Sequence, residues 1–81
     1  MARKEVENIR LQYDARSDVL YCSVGEPREA ISVEVGNGTF ARLDPQTDQV
    51  VGFTVIDFVK RMSVPGRNVA IYIPTKIHAT R

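Results

Sequence analysis

The dipeptide Asn37-Gly38 constrains the fold of this chain more than any other feature. It lies between the strictly alternating run Ile31-Ser32-Val33-Glu34-Val35 and a second strand-forming run, Thr39 to Leu43. A type I′ turn needs positive φ at both central residues, which Asn and Gly tolerate, and its twist matches the strands it joins. Side chains alternate across a strand, so the hairpin sets Ile31, Val33, Val35 and Phe40 on one face. The other apolar runs can then be read as additions to its sheet.

Ile9-Arg10-Leu11-Gln12-Tyr13 alternates with the period of a half-buried strand, and Val19 to Val24 is rich in β-formers. Asp14 to Ser17 make the loop between them, because Asp and Ser side chains hold turns by bonding nearby backbone N–H groups. A pairing of Tyr13 with Asp18 gathers Ile9, Leu11, Tyr13, Leu20, Cys22 and Val24 on one face. Gly25-Glu26-Pro27-Arg28 ends the second strand. Asp44-Pro45-Gln46-Thr47-Asp48 is a further turn, and Val50 to Ile56 is the fifth and most apolar strand.

Tyr13-Asp14-x-x-Ser17-Asp18-x-Leu20 returns as Leu43-Asp44-x-x-Thr47-Asp48-x-Val50 at an offset of 30 residues. Shared turn chemistry accounts for the repeat and predicts equal loop lengths in the two hairpins. With Leu43 opposite Asp48, Phe40 joins Val51, Phe53 and Val55 on the core face. The other face then holds Ser32, Glu34, Ala41, Leu43, Val50, Gly52, Thr54 and Ile56. That set is mixed rather than polar, which predicts a helix or a second subunit over Leu43, Val50 and Ile56.

Asp57-Phe58-Val59-Lys60-Arg61-Met62 reads as a short helix with Phe58 and Met62 on one side. Pro65-Gly66 is a turn. Asn68 to Ile73 alternates through Val69, Ile71 and Ile73 as a sixth strand, stopped by Pro74 and followed by a frayed tail. The expected fold is α+β and mainly β: a five-stranded antiparallel meander, a short helix and a sixth C-terminal strand. It makes one domain over 1–81, with a loose arm at 1–8, a core at 9–58 and the helix end, last strand and tail at 59–81.

A chain of 81 residues is near the size where one core only just offsets chain entropy. Small domains make up the difference with disulfides, metals or oligomerisation. Cys22 is the lone cysteine, so no internal disulfide forms and no second soft ligand exists for a structural zinc. Self-association is the remaining route, and a homodimer is expected. The single cysteine and the lack of a secretory apolar region suggest a reducing cytoplasm. No apolar run reaches the ~20 residues of a membrane span. Net charge is +1 but uneven: residues 1–56 carry six Lys/Arg against nine Asp/Glu, and residues 57–81 five against one. The basic C-terminal segment offers a contact for an acidic partner or RNA.

Sites of chemistry are sparse. His78 lies in the tail, away from any other ligand type. Asp14/Asp18 and Asp44/Asp48 lack the dense oxygen loop and central glycine of a calcium site, and turn-building is their simpler role. Cys22 falls on the apolar face of a strand, where a cysteine is an inert small hydrophobe. Gly36-Asn37-Gly38 fits a hairpin and not a strand-to-helix phosphate cradle. No metal, cofactor or catalytic residue is expected.

Tyr13-Asp14-x-x-x-Asp18-x-Leu20-Tyr21, with Ser32-Val33-Glu34-Val35, the turn from Gly38 to Asp44, and Val50-Val51-Gly52, resembles the small prokaryotic family known as domain of unknown function 2283. The resemblance spans about residues 9–58. The family usually has an acidic residue after the valine–glycine pair, where this chain has Phe53-Thr54, and residues 59–81 extend past the family core. The resemblance implies a small β-rich fold without a settled activity, some members being suspected partners of toxin-like proteins. The expected function is a non-enzymatic, self-associating protein-interaction module. Its candidate contacts are Leu43, Val50 and Ile56, the outward Tyr21, and Lys60, Arg61, Arg67, Tyr72 and Lys76. The alternative is a nucleic-acid-binding regulator that uses the basic segment, with Tyr72 beside Arg67 and Lys76.

Overall fold

The computed structural model describes residues 7–77. Most of the expected N-terminal arm, His78 and the end of the tail lie outside the described residues. Five antiparallel strands form one sheet: β1 (Ile9–Asp14), β2 (Val19–Val24), β3 (Ile31–Gly36), β4 (Thr39–Leu43) and β5 (Val50–Ile56), followed by a helix α1 (Phe58–Met62). Among the described residues, no helix is long and apolar enough to cross a membrane.

The sheet order is β1-β2-β5-β4-β3. β3, β4 and β5 run as a meander, and the β1–β2 hairpin joins it on the far side of β5. The most apolar strand therefore becomes the central one, as its run of Val, Phe and Ile favours a place with neighbours on both sides. Residues 25–30 carry the chain from β2 across β5 and β4 to the opposite edge. Three inter-strand steps of about 4.8 Å need roughly 14 Å, and six extended residues reach roughly 20 Å. The Arg42 guanidinium donates to the Arg28 carbonyl at 3.1 Å as this link passes β4.

The β1–β2 register differs from expectation by two residues: Tyr13 faces Leu20, Leu11 faces Cys22 and Ile9 faces Val24. An even shift preserves the faces, so the expected apolar set of this hairpin stands. In the other hairpins the shift is odd. Gly38 takes φ 78° but Asn37 is not left-handed, so their turn is not the expected type I′. Register breaks between Glu34 and Gly36 in β3, and again beside the Arg42–Leu43 step, where Arg42 faces Gly52 and Leu43 faces Val50. Each break inserts one residue, Val35 and Val51, and one inserted residue inverts everything beyond it.

Phe40 consequently faces Glu34 and Thr54, on the side opposite Phe53 and Val55. Ala41 faces Val33 and Phe53, and Leu43 faces Ile31 and Val50. Ala41 and Leu43, assigned to the mixed face from sequence, belong to the core with Cys22, Val51 and Val55.

The two aspartate turns match in length. Residues 15–18 link Asp14 to Val19, and residues 45–48 link Asp44 to Gln49, whose carbonyl accepts the Asp44 N–H at 2.9 Å. Each loop ends on a left-handed aspartate, Asp18 at φ 57° and Asp48 at φ 59°. Asp14 Oδ1 accepts the Arg16 N–H at 3.0 Å, and Asp44 Oδ1 accepts the Gln46 N–H at 2.8 Å.

The expected sixth strand is not shown. Among the described residues, the C-terminal segment makes only an isolated bridge, between Gln49 and Lys76. Val69, Ile71 and Ile73 are half-buried while Ala70 and Tyr72 are exposed, so the alternation is real. It serves packing, because Val69, Ile71 and Ile73 share a hollow with Leu20, Phe53, Val55, Phe58 and Met62. Helix and C-terminal segment thus cover the middle of the apolar face.

Candidate interaction surface

The motif stretch around Asp18 ties this cover to the sheet. A helix of five residues cannot hold itself together in water, because nucleation is unfavourable and few hydrogen bonds repay it. Its own N-terminal flanking residue, Asp57, is left-handed and makes no side-chain cap. Asp18, 41 residues away from Val59, does that work. Its Oδ1 accepts the Val59 N–H at 2.8 Å, its Oδ2 the Lys60 N–H at 3.2 Å, and its carbonyl the Phe58 N–H at 3.0 Å. These are the N–H groups that a helix leaves unpaired at its start. The Tyr13 hydroxyl donates to the same carboxylate at 2.6 Å, and the Tyr13 ring meets Phe58 at 6.1 Å.

These contacts set the electrostatics. The Tyr13 hydroxyl and the two helix N–H groups hold the Asp18 carboxyl below its ordinary range, and the same bond raises Tyr13. The Ser17 hydroxyl and the Arg16 N–H lower Asp14, and the Gln46 N–H lowers Asp44. Asp14 and Asp44 each accept backbone N–H groups of their own turn. Asp18 has a second role, capping a distant helix, that local sequence does not display.

Among the described residues, helix α1 and the segment after it leave the β1 flank of the apolar face open. Ile9 is 66% exposed, Leu11 65% and Val24 45%. Ile9 and Val24 border a hollow of about 220 Å³ with Cys22, Phe53 and Ile73. Cys22 itself is buried, and desolvation pushes its thiol above the ordinary cysteine value. Among the described residues, no group of three or more His, Cys, Asp or Glu is placed to hold a metal ion.

The contacts expected from sequence are divided between surfaces. Leu43 is buried and Val50 half-buried on the core side, whereas Ile56 and Tyr21 lie on the other face, opposite Val19 and Thr54. Lys60 is exposed, with its backbone N–H held by Asp18. Arg61 is half-buried and its guanidinium lies over Gly38, where any added Cβ would collide with it. It covers the turn of the β3–β4 hairpin. Arg67 is exposed after the Pro65-Gly66 turn, Lys76 is exposed beside Gln49, and Tyr72 is 87% exposed.

On the opposite face, Arg10, Gln12, Tyr21 and Arg42 line a shallow hollow of about 150 Å³. Arg42 and Phe40 escape a sequence reading because the register breaks decide their side. The exposure of Ile9 and Leu11 is likewise not a local property, since it depends on where the segment through Ile73 packs.

Comparison with protein-family models, curated proteins and solved structures gives no match for this chain.

Proposed function

We propose that this protein is a non-enzymatic interaction module that associates with itself through the apolar face of its sheet. One observation carries the reading: Ile9 and Leu11 stay about two-thirds exposed beside a face whose centre is covered. An apolar patch flanking a thin core favours association, because burying it removes roughly 25 cal/mol per Å² from contact with water. A chain of this size with a single cysteine gains the most from such burial. The resemblance to domain of unknown function 2283 implies a small β-rich fold without a settled activity, and a small toxin-like protein is the further partner it suggests. Light scattering across a concentration series tests the reading. A dimer mass is expected, and a monomer at every concentration refutes it.

A second reading draws on the opposite face, where Arg10 and Arg42 border the exposed Tyr21. Basic side chains beside an aromatic ring on a sheet suit single-stranded nucleic acid, with phosphates on the cations and a base on the ring. The basic C-terminal segment is the other nucleic-acid candidate, with Lys60, Arg67, Tyr72 and Lys76 exposed and Arg61 drawn onto the Gly38 turn. Filter binding at rising salt tests it, because phosphate contacts weaken steeply as counterions compete.

A further inference from the structure

The two sheet edges are unlike. β3 breaks register between Glu34 and Gly36, and an irregular strand is a poor template for another chain. β1 pairs with β2 in unbroken register from Ile9 to Asp14 and contains neither proline nor glycine. The Asn8 carbonyl accepts the Gly25 N–H at 2.7 Å, which fixes the direction of every backbone group in the strand. Antiparallel ladders alternate, so Arg10, Gln12 and Asp14 turn their N–H and C=O groups towards β2. Those of Ile9, Leu11 and Tyr13 point outward, on the open edge.

We propose that β1 pairs antiparallel with β1 of a second copy about a two-fold axis at Gln12, joining two sheets into one. This rests on the self-association proposed above and specifies its geometry. An axis normal to the sheet keeps both apolar faces on the same side. It also matches each residue with one of equal parity, so outward groups meet outward groups. Two registers then bring most of the strand together. With Leu11 on the axis, Arg10 meets Gln12 of the second copy and Asp14 meets Asn8. With Gln12 on the axis, Arg10 stands directly opposite Asp14 of the second copy, twice by symmetry. Charge complementarity selects the Gln12 register, since opposite charges facing each other across a ladder stabilise it and like charges do not. In that register Leu11 and Tyr13 of the second copy exchange both backbone hydrogen bonds. Leu11, 65% exposed in the single chain, is covered by the neighbouring tyrosine.

Cross-linking tests the register. At the axis the two Gln12 residues form a non-hydrogen-bonded pair, with Cα atoms about 4.5 Å apart, within disulfide reach. Gln12→Cys in a Cys22→Ala background is expected to form an intermolecular disulfide on mild oxidation, while Arg10→Cys in the same background stays reduced. In the otherwise natural chain, Arg10→Glu and Asp14→Lys are each expected to weaken the homodimer at least tenfold. Their equimolar mixture is expected to restore a dimer, because both cross-strand pairs are again of opposite charge. A chain that scatters as a dimer but whose Gln12→Cys form does not cross-link, with no recovery on mixing, overturns the β1 edge and leaves self-association standing. A natural chain that scatters as a monomer removes both.

Discussion

Replacing Gly52 by alanine is expected to split the sheet at its central seam. In most strand positions Gly→Ala stabilises, by roughly 0.5–1 kcal/mol, because alanine has less backbone entropy to lose. Gly52 is different. A Cβ there would strike the Cys22 carbonyl oxygen and come within 3.2 Å of the Ser23 Cα. Both atoms belong to the backbone of β2, so no side chain can swing aside. The strands must part, and β2–β5 is the pairing that joins the β1–β2 hairpin to the rest of the sheet. Forcing extra atoms into a packed site costs about 1–3 kcal/mol. A chain of this size has total stability of roughly 4–12 kcal/mol, so a loss near 2 kcal/mol is a large share. With a urea slope of about 1 kcal/mol per M, the midpoint should fall by about 2 M. Circular dichroism in urea at fixed protein concentration reads it, with Gly36→Ala as control. At Gly36 the added Cβ meets only the Thr39 Cβ, at 3.9 Å. Equal midpoints for the two variants would refute the claim that close strand approach selects glycine at position 52.

Val55 is 1% exposed, and Val55→Ala should destabilise by about 2 kcal/mol, two methyl groups of transfer energy plus part of a cavity; thermal melting checks it. The Asp18 carboxyl is depressed in the folded chain, so its contribution is present above the unfolded pKa and lost as pH falls through the folded one. Stability should therefore be level above about pH 5 and decline on further acidification, and Asp18→Asn should flatten part of that decline in acid titrations followed by circular dichroism. Cys22, buried with a raised thiol, should react with an aromatic disulfide reagent only as fast as the sheet opens; labelling at the free-thiol rate in native buffer would contradict its placement.

The sequence alone specified what depends on neighbouring residues. The first five strand runs stood where their local pattern placed them, the aspartates built turns of equal length, and the Phe58–Met62 helix followed the fifth strand. The face of the β1–β2 hairpin is also independent of its exact register, because a shift of two residues restores the side-chain period. Tertiary structure decided the rest. β5 became the central strand because its apolar side chains gain most from two neighbours, and no local signal fixes strand order. Single inserted residues at Val35 and Val51 turned Phe40 outward and Leu43 inward, since one residue is half a period. The alternation of Val69, Ile71 and Ile73 was legible, but whether it paired with a strand or packed on a face depended on the surface waiting for it. Asp18 shows the division within one residue. Its turn lies in the sequence around it, and its cap on α1 exists only because folding brings Val59 and Lys60 within reach of its carboxylate.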